Sequence, residues 1–345
     1  MARIVMADDG IAFDGLMLRE RALGGAESAF VNLAEALAQR GHQVGVRNNC
    51  AHPGLHWGVE WAPLAHGFPA SADLYIANRG DKLILKMARS ARRSVFWLHN
   101  PARYLIKLRY LWKLALQRPA LVFAGPSHMA TYPSWAPGGP RIAIPLGVDD
   151  LFLKARPAAA PPPPRAIFTS NPLRGLAWLL ELWAARIHPN LPAAELHIFS
   201  GPSTYGAYGE AKSAAMQAVL DRARGLRDCG VVLREPVARP ALVEELRRSR
   251  VMLYRGDPGE SFCLAVAEAQ ALGVPAVVQR IGAVPERVID RETGFVSVDD
   301  NDFALNALGL LHDDDLWRRQ HRAALDRQRA WGWPQAAAAF EALIP

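Results

Sequence analysis

Short apolar runs rich in β-branched residues recur up to about residue 150: RIVMA (3–7), QVGVR (43–47), DLYIA (73–77), SVFWL (94–98), ALVFA (120–124) and RIAIP (141–145). Segments with helical spacing separate them. Continuous apolar strands of this kind are buried on both faces, so the pattern predicts a parallel sheet with crossover helices. The segment RPAAAPPPPR (156–165) comes next. Four consecutive prolines fit neither a helix interior nor a central strand, and they predict a semi-rigid extended connector. The alternation then restarts at RAIFTS (165–170), ELHIFS (195–200), GVVLR (230–234), RVMLY (250–254), VPAVV (274–278) and GFVSV (294–298), with helices expected over 174–187, about 210–225, 239–248 and 262–272. A helical pattern from about 314 breaks at Trp331, Trp333 and Pro334, leaving PQAAAAFEALI as a final helix. The expected organisation is α/β, with an amino-terminal domain over 1–155, a linker over 156–164 and a second domain over 165–330. Spacing leaves the last segment, 331–345, open to packing on either domain, a return to the amino-terminal one included. Two such domains would face each other across a cleft, with ligands at the carboxyl ends of the strands.

Bulk composition narrows the class without choosing a function. A chain of 345 residues, 50% hydrophobic and 21% charged, is an ordinary globular protein with room for two cores. Its amino terminus, MARIVMADDG, lacks the long apolar region of a secretory signal, and no apolar run approaches the roughly 18 residues needed to span a bilayer. The expected location is the cytoplasm. Cys50, Cys229 and Cys263 are scattered and odd in number, which fits neither a disulfide frame nor a zinc site. A net charge of +7 favours an anionic partner, but nucleic acid, phosphorylated metabolites and acidic lipid remain equal on that ground.

Four stretches could carry chemistry. In GGAES (24–28), Gly24 and Gly25 precede a long amphipathic helix whose first N–H groups are open to an anion; a plain helix-start turn competes with that reading. The dinucleotide pattern G-x-G-x-x-G is absent there, which weighs against a nicotinamide enzyme. WLHNP (97–101) sets His99 and Asn100 at the end of a strand, and Pro101 forces a loop. SNPLRGL (170–176) holds Arg174 between a strand and a helix, where the helix dipole mildly disfavours a cation unless an anion visits. ESFCLAVAEAQALGVPAVV (260–278) keeps two acids, Glu260 in a loop and Glu268 in the following helix, within a very apolar context. Buried carboxylates need partners, either internal cations or a ligand. The helix-start amides of Ser261, Phe262, Cys263 and Leu264 lie between them. Hydroxyl acceptor, phosphate cradle and hydroxyl acceptor is the order of groups in a nucleotide sugar, and a ligand is the expected partner.

The stretch 260–286, ending in G-A-V-P-E, resembles the signature of family-4 retaining glycosyltransferases of the GT-B fold, with two Rossmann-like parallel-sheet domains. GGAE, IPLGVDDLF (144–152) and an Arg-Gly after the first strand of the second domain are similar to further landmarks in the same order, so the resemblance covers nearly the whole chain. It implies that Glu268 binds donor ribose hydroxyls and that Glu260 sits at the transferred sugar. It also implies that Arg174 and the backbone at Gly25 meet the diphosphate, and that His99 lies near the reaction centre. Three departures matter: Thr169 stands where many members have an Arg, Cys263 replaces a common Gly, and Ala283 replaces the second Gly of G-G-x-x-E.

The resemblance implies transfer from a nucleotide-diphosphate sugar, UDP- or GDP-linked, to a saccharide or lipid-linked acceptor, by front-face attack with retention. No G-x-S-x-G or D-x-D motif asks for a covalent nucleophile or a metal, and neither a cofactor nor nucleic acid is expected. A sugar-nucleotide epimerase and a non-catalytic nucleotide-sugar binding protein are the alternatives. The segment PARYLIKLRYLWKLALQRP (101–119) carries cations at 103, 107, 109, 113 and 118, with Leu105, Leu108, Trp112 and Leu116 opposite on a helical wheel. This pattern fits either peripheral attachment to an anionic membrane at its inner face or a crossover helix whose apolar face packs on the sheet.

Overall fold

The computed structural model describes residues 1–20 and 23–345, with the backbone alone over 204–208. It separates into two compact units, 1–147 with 331–345, and 148–330. In the first, strands β1 (Arg3–Asp8), β2 (Gln43–Asn48), β3 (Gly54–His56), β4 (Val59–Pro63), β5 (Ala72–Asn78), β6 (Ala91–Trp97), β7 (Ala120–Phe123) and β8 (Arg141–Ala143) form one sheet. The order is β3-β4-β2-β1-β5-β6-β7-β8, parallel except at β3. Ile4, Val5, Met6 and Ala7 of β1 are all buried, as its continuous apolar pattern requires in a central strand. The hairpin of β3 and β4 is absent from the sequence expectations. Its turn uses Trp57 and Gly58, both at positive φ, so the usual Asn-Gly or Asp-Gly signal is missing.

The carboxyl-terminal segment belongs to this unit. Helix Trp333–Glu341 packs on helix Gly25–Gln39, with the Phe340 ring edge-on to Trp97 at 5.2 Å and Glu341 ion-paired to Arg40. Trp331 Nε1 donates to the Pro145 carbonyl at 3.1 Å. Between helix Leu108–Gln117 and the preceding 3₁₀ turn Ala102–Ile106, Lys107 is extended, which resets the helical phase. A single wheel drawn through 103–118 therefore puts Leu105 on the wrong face. Tyr110 and Leu114 join Leu105 in the core, while Leu108, Trp112 and Leu116 stand exposed instead of packing on the sheet.

The second unit is a six-stranded parallel sheet of β9 (Arg165–Phe168), β10 (Glu195–Phe199), β11 (Val231–Arg234), β12 (Val251–Tyr254), β13 (Ala276–Gln279) and β14 (Gly294–Ser297), ordered β11-β10-β9-β12-β13-β14. The proline-rich stretch lies within this unit: Pro164 O accepts from Glu195 N at 3.0 Å and Pro162 O from Arg250 Nη1 at 3.2 Å. It lies at the amino ends of the central strands β9, β10 and β12, and the division between units falls earlier, at Gly147. The helix expected over 174–187 is α-helical at Leu176–Leu182 and a π-helix at Trp183–Ile187. Helix Asp300–His312, capped by Asp299, is one that the sequence reading missed.

Candidate functional site

In the second unit two loops bring Arg174 and Glu260 together. β12 is buried throughout and ends at Tyr254, so the chain turns there into the loop that carries Glu260. After β9 the loop 169–175 ends at Gly175 with φ 77°, which lets the backbone turn into helix Leu176–Leu182 directly after Arg174. Arg174 Nη1 donates to Glu260 Oε2 at 2.7 Å, and Tyr254 Oη donates to the same oxygen at 2.6 Å. Neither bond engages Oε1. Burial opposes the charge on Arg174, but Glu260 outweighs it and holds the guanidinium more firmly protonated than usual; burial also pushes the Tyr254 phenol up.

Glu260 O also accepts from Ala283 N at 3.1 Å, across a tight approach at Gly282. A Cβ on Gly282 would lie 2.3 Å from Asp257 O, and its φ is 60°, so glycine is required there. Ala283, at φ −88°, has a backbone open to any residue. Cys263 is the opposite case: it starts helix Leu264–Ala271 at φ 71°, where glycine is favoured, and it is buried. Burial and then Glu260 push its thiol well up, which leaves it a poor nucleophile. Phe262 is buried with the Arg287 guanidinium 4.1 Å above its ring, and Ser261 and Leu264 flank the helix start, whose first N–H groups have no intrahelical acceptor.

Glu268, in that helix, is buried and accepts from Arg239 Nη2 at 2.8 Å. Arg239 lies 4.9 Å over the Phe152 ring and 3.6 Å from Asp149. Burial raises the Glu268 carboxyl, and Arg239 works against that. Each of the two glutamates thus has an internal cation, where the sequence reading put a ligand. Tyr254, Arg239 and Asp149 went unnoticed in the sequence; the signal for Tyr254 was its place at a strand's carboxyl end.

The first unit gathers its own polar cluster. Asp8 ends β1, Arg79 follows β5 at φ 60°, and Glu27 lies in the first turn of helix Gly25–Gln39. Arg79 Nη2 donates to Asp8 Oδ2 at 2.9 Å and to Glu27 Oε1 at 3.0 Å. Gly24 is explained by Glu27: a Cβ there would meet Glu27 Oε2 at 2.4 Å. His99 is buried against the Trp97 ring at 4.4 Å, and burial, then Arg79 and His128, hold it well below the usual imidazole range. His128 accepts from Ala124 N at Nδ1, which assigns the Nε2 proton to the Asn100 carbonyl at 2.8 Å. Among the described residues no group of three His, Cys, Asp or Glu converges as a metal site.

Residues 164–313 match the family model described as Glycosyl transferases group 1. By this match the stretch is similar to a group 1 glycosyltransferase domain. It contains Arg174, Glu260 and Glu268. D-inositol 3-phosphate glycosyltransferase of Streptomyces avermitilis is 34% identical over 145 residues, which is 41% of this chain and 30% of that protein. Its namesake in Corynebacterium diphtheriae is 42% identical over 87 residues, 24% of this chain and 20% of the relative. The chain thus spans less than a third of the length of either. Over the whole chain the fold resembles sucrose-phosphate synthase from Thermosynechococcus elongatus, with TM-score 0.73 at 18% identity over 99% of this chain and 98% of that one. Anabaena HepE in complex with UDP and glucose gives 0.72 at 14% identity, covering 99% of both chains. The two parallel-sheet domains are those of the GT-B fold.

Proposed function

We propose that this chain is a retaining glycosyltransferase that moves a sugar from a UDP- or GDP-linked donor to a saccharide or lipid-linked acceptor. The observation that carries the reading is the pair of donors, Arg174 and Tyr254, on one oxygen of Glu260 beside the amino end of helix Leu264–Ala271. Such a pair orients the carboxylate, and Oε1 is the oxygen for a sugar hydroxyl. Arg174 and the backbone amides of Ser261 to Leu264, which lead into that helix, suit the diphosphate, whose negative charge grows as the glycosidic bond breaks. The bond from the anomeric carbon to the diphosphate breaks while the acceptor oxygen bonds the same face. The leaving phosphate takes the acceptor's proton, so no protein nucleophile or metal is needed. Glu268 accepts from the ribose hydroxyls, sharing its charge with Arg239, and His99 stays an uncharged hydrogen-bonding group beside the donor sugar.

UDP-glucose bound in HepE and UDP-2-fluoro glucose bound in the Escherichia coli trehalose-6-phosphate structure support the donor class. Thermal shift of the purified chain against UDP-, GDP- and ADP-sugars tests it, because ligand bound to the native state raises the melting temperature. A shift with a UDP- or GDP-sugar, followed by sugar transfer with anomeric retention, is the expected result. Product from donor without acceptor would indicate an epimerase instead, and binding without any turnover a binding protein.

A further inference from the structure

We propose that the exposed face of helix Leu108–Gln117 docks on an acidic lipid surface. From Lys82 to Val148 the chain has eleven Lys and Arg and no Asp or Glu, so a net +7 for the whole chain conceals a stretch of +11. The helix lies within that stretch and is held to the sheet by Tyr110 and Leu114. On its other side Leu108, Trp112 and Leu116, spaced one turn apart, are 78%, 48% and 70% exposed, and Ile106 leads into the stripe. Trp135 is also 70% exposed, on a loop whose Tyr132 and Ala136 enter the same core cluster as Tyr110. Arg103 and Lys107 before the helix and Arg118 after it are exposed and make no ion pair among the described residues. Arg109 and Lys113 share Asp81, at 3.9 and 2.7 Å.

A single exposed Leu needs no account, but a Leu-Trp-Leu stripe framed by free cations does. A polyanion would use the cations and leave the stripe wet. An apolar protein partner would use the stripe and have no need of an acid-free surround. An acidic bilayer uses both, with Leu entering the acyl boundary, Trp at headgroup depth and cations at the anionic headgroups. No helix among the described residues is long and apolar enough to cross a membrane, so the contact is with the surface. The proposal stands apart from the donor-site reading.

The test is sedimentation of the full chain with vesicles of phosphatidylcholine alone or mixed with phosphatidylglycerol. Binding is expected only to the mixed vesicles, weakening with salt. Leu108→Ser/Trp112→Ser/Leu116→Ser should lose on the order of tenfold in affinity or more. Arg103→Gln/Lys107→Gln/Arg118→Gln should lose roughly fivefold per cation. Melting temperatures and thermal-shift responses to nucleotide sugar should match wild type in both, which separates this surface from the donor site. Failure of wild type to bind mixed vesicles, equal binding to neutral ones, or full binding by the folded serine variant would overturn the proposal. So would a concentration-dependent dimer, abolished by the serine changes, in a protein that ignores vesicles.

Discussion

Arg79 and Arg174 stand at matching places in the two units, each just past a strand's carboxyl end and near a helix start, yet they are held differently. Arg79 is shared by two buried acids, Asp8 and Glu27, and its side chain is 24% exposed. Arg174 has one acid, Glu260, and is 36% exposed. The first cluster is closed and net negative, so a diphosphate gains little there. The second is neutral with guanidinium N–H groups to spare, which is what an anionic ligand needs. Gly-Gly before a helix is thus a weak sign of an anion site, because Glu27 folds back over Gly24 and supplies the negative charge itself.

Because of this difference, the same kind of change should act on different quantities in the two units. Arg174→Ala should lower sugar transfer by about a thousandfold, close to 4 kcal/mol in the barrier, with little change in melting temperature because Glu260 keeps Tyr254. Steady-state turnover beside a thermal melt reads both quantities, and near-normal turnover would remove Arg174 from the mechanism. Arg79→Met should do the reverse, leaving Asp8 and Glu27 buried without their cation and costing about 3 kcal/mol of stability, discounted for its partial exposure. Urea titration measures that loss; a variant as stable as wild type would mean the cluster is not closed on itself.

Glu268 tests whether an internal cation precludes a ligand. Glu268→Ala should weaken nucleotide binding by about 2 kcal/mol through lost charged hydrogen bonds, with Arg239 still held near Asp149. Calorimetry with the nucleotide product is the measurement. Unchanged affinity would mean that the Arg239 ion pair is the whole purpose of the acid.

These outcomes bear on what the sequence could convey. Both sheets were legible because buried parallel strands are unbroken apolar runs, as in β1 and β12. The β3–β4 hairpin was not, since its edge strand β3 is only three residues long and its Trp57-Gly58 turn lacks a familiar signal. In the site, Glu260 and Glu268 stood out as acids in an apolar stretch. Their partners did not, because Arg174 lies 86 residues from Glu260 and Arg239 lies 29 from Glu268, and no local pattern encodes such pairings. Leu105 was grouped with the exposed stripe because one extended residue, Lys107, shifts the helical phase, and a wheel assumes no such break.

Cys263 carries the smallest effect and the sharpest local test, since it concerns backbone geometry beside Glu260 and not charge. At φ 71° and ψ 74° an L side chain is strained, whereas Ala283, the other departure from a family glycine, is not. Cys263→Gly alone would mix relief of strain with loss of a buried thiol, so the informative comparison is between Cys263→Gly and Cys263→Ala, which both lose the sulfur. Glycine should be the more stable of the two by about 1 kcal/mol, against the usual preference for alanine in helices. Paired chemical denaturation curves decide it. If alanine is equal or better, the chain at 263 relaxes out of the left-handed region, and the helix-start amides next to Glu260 are not held as described.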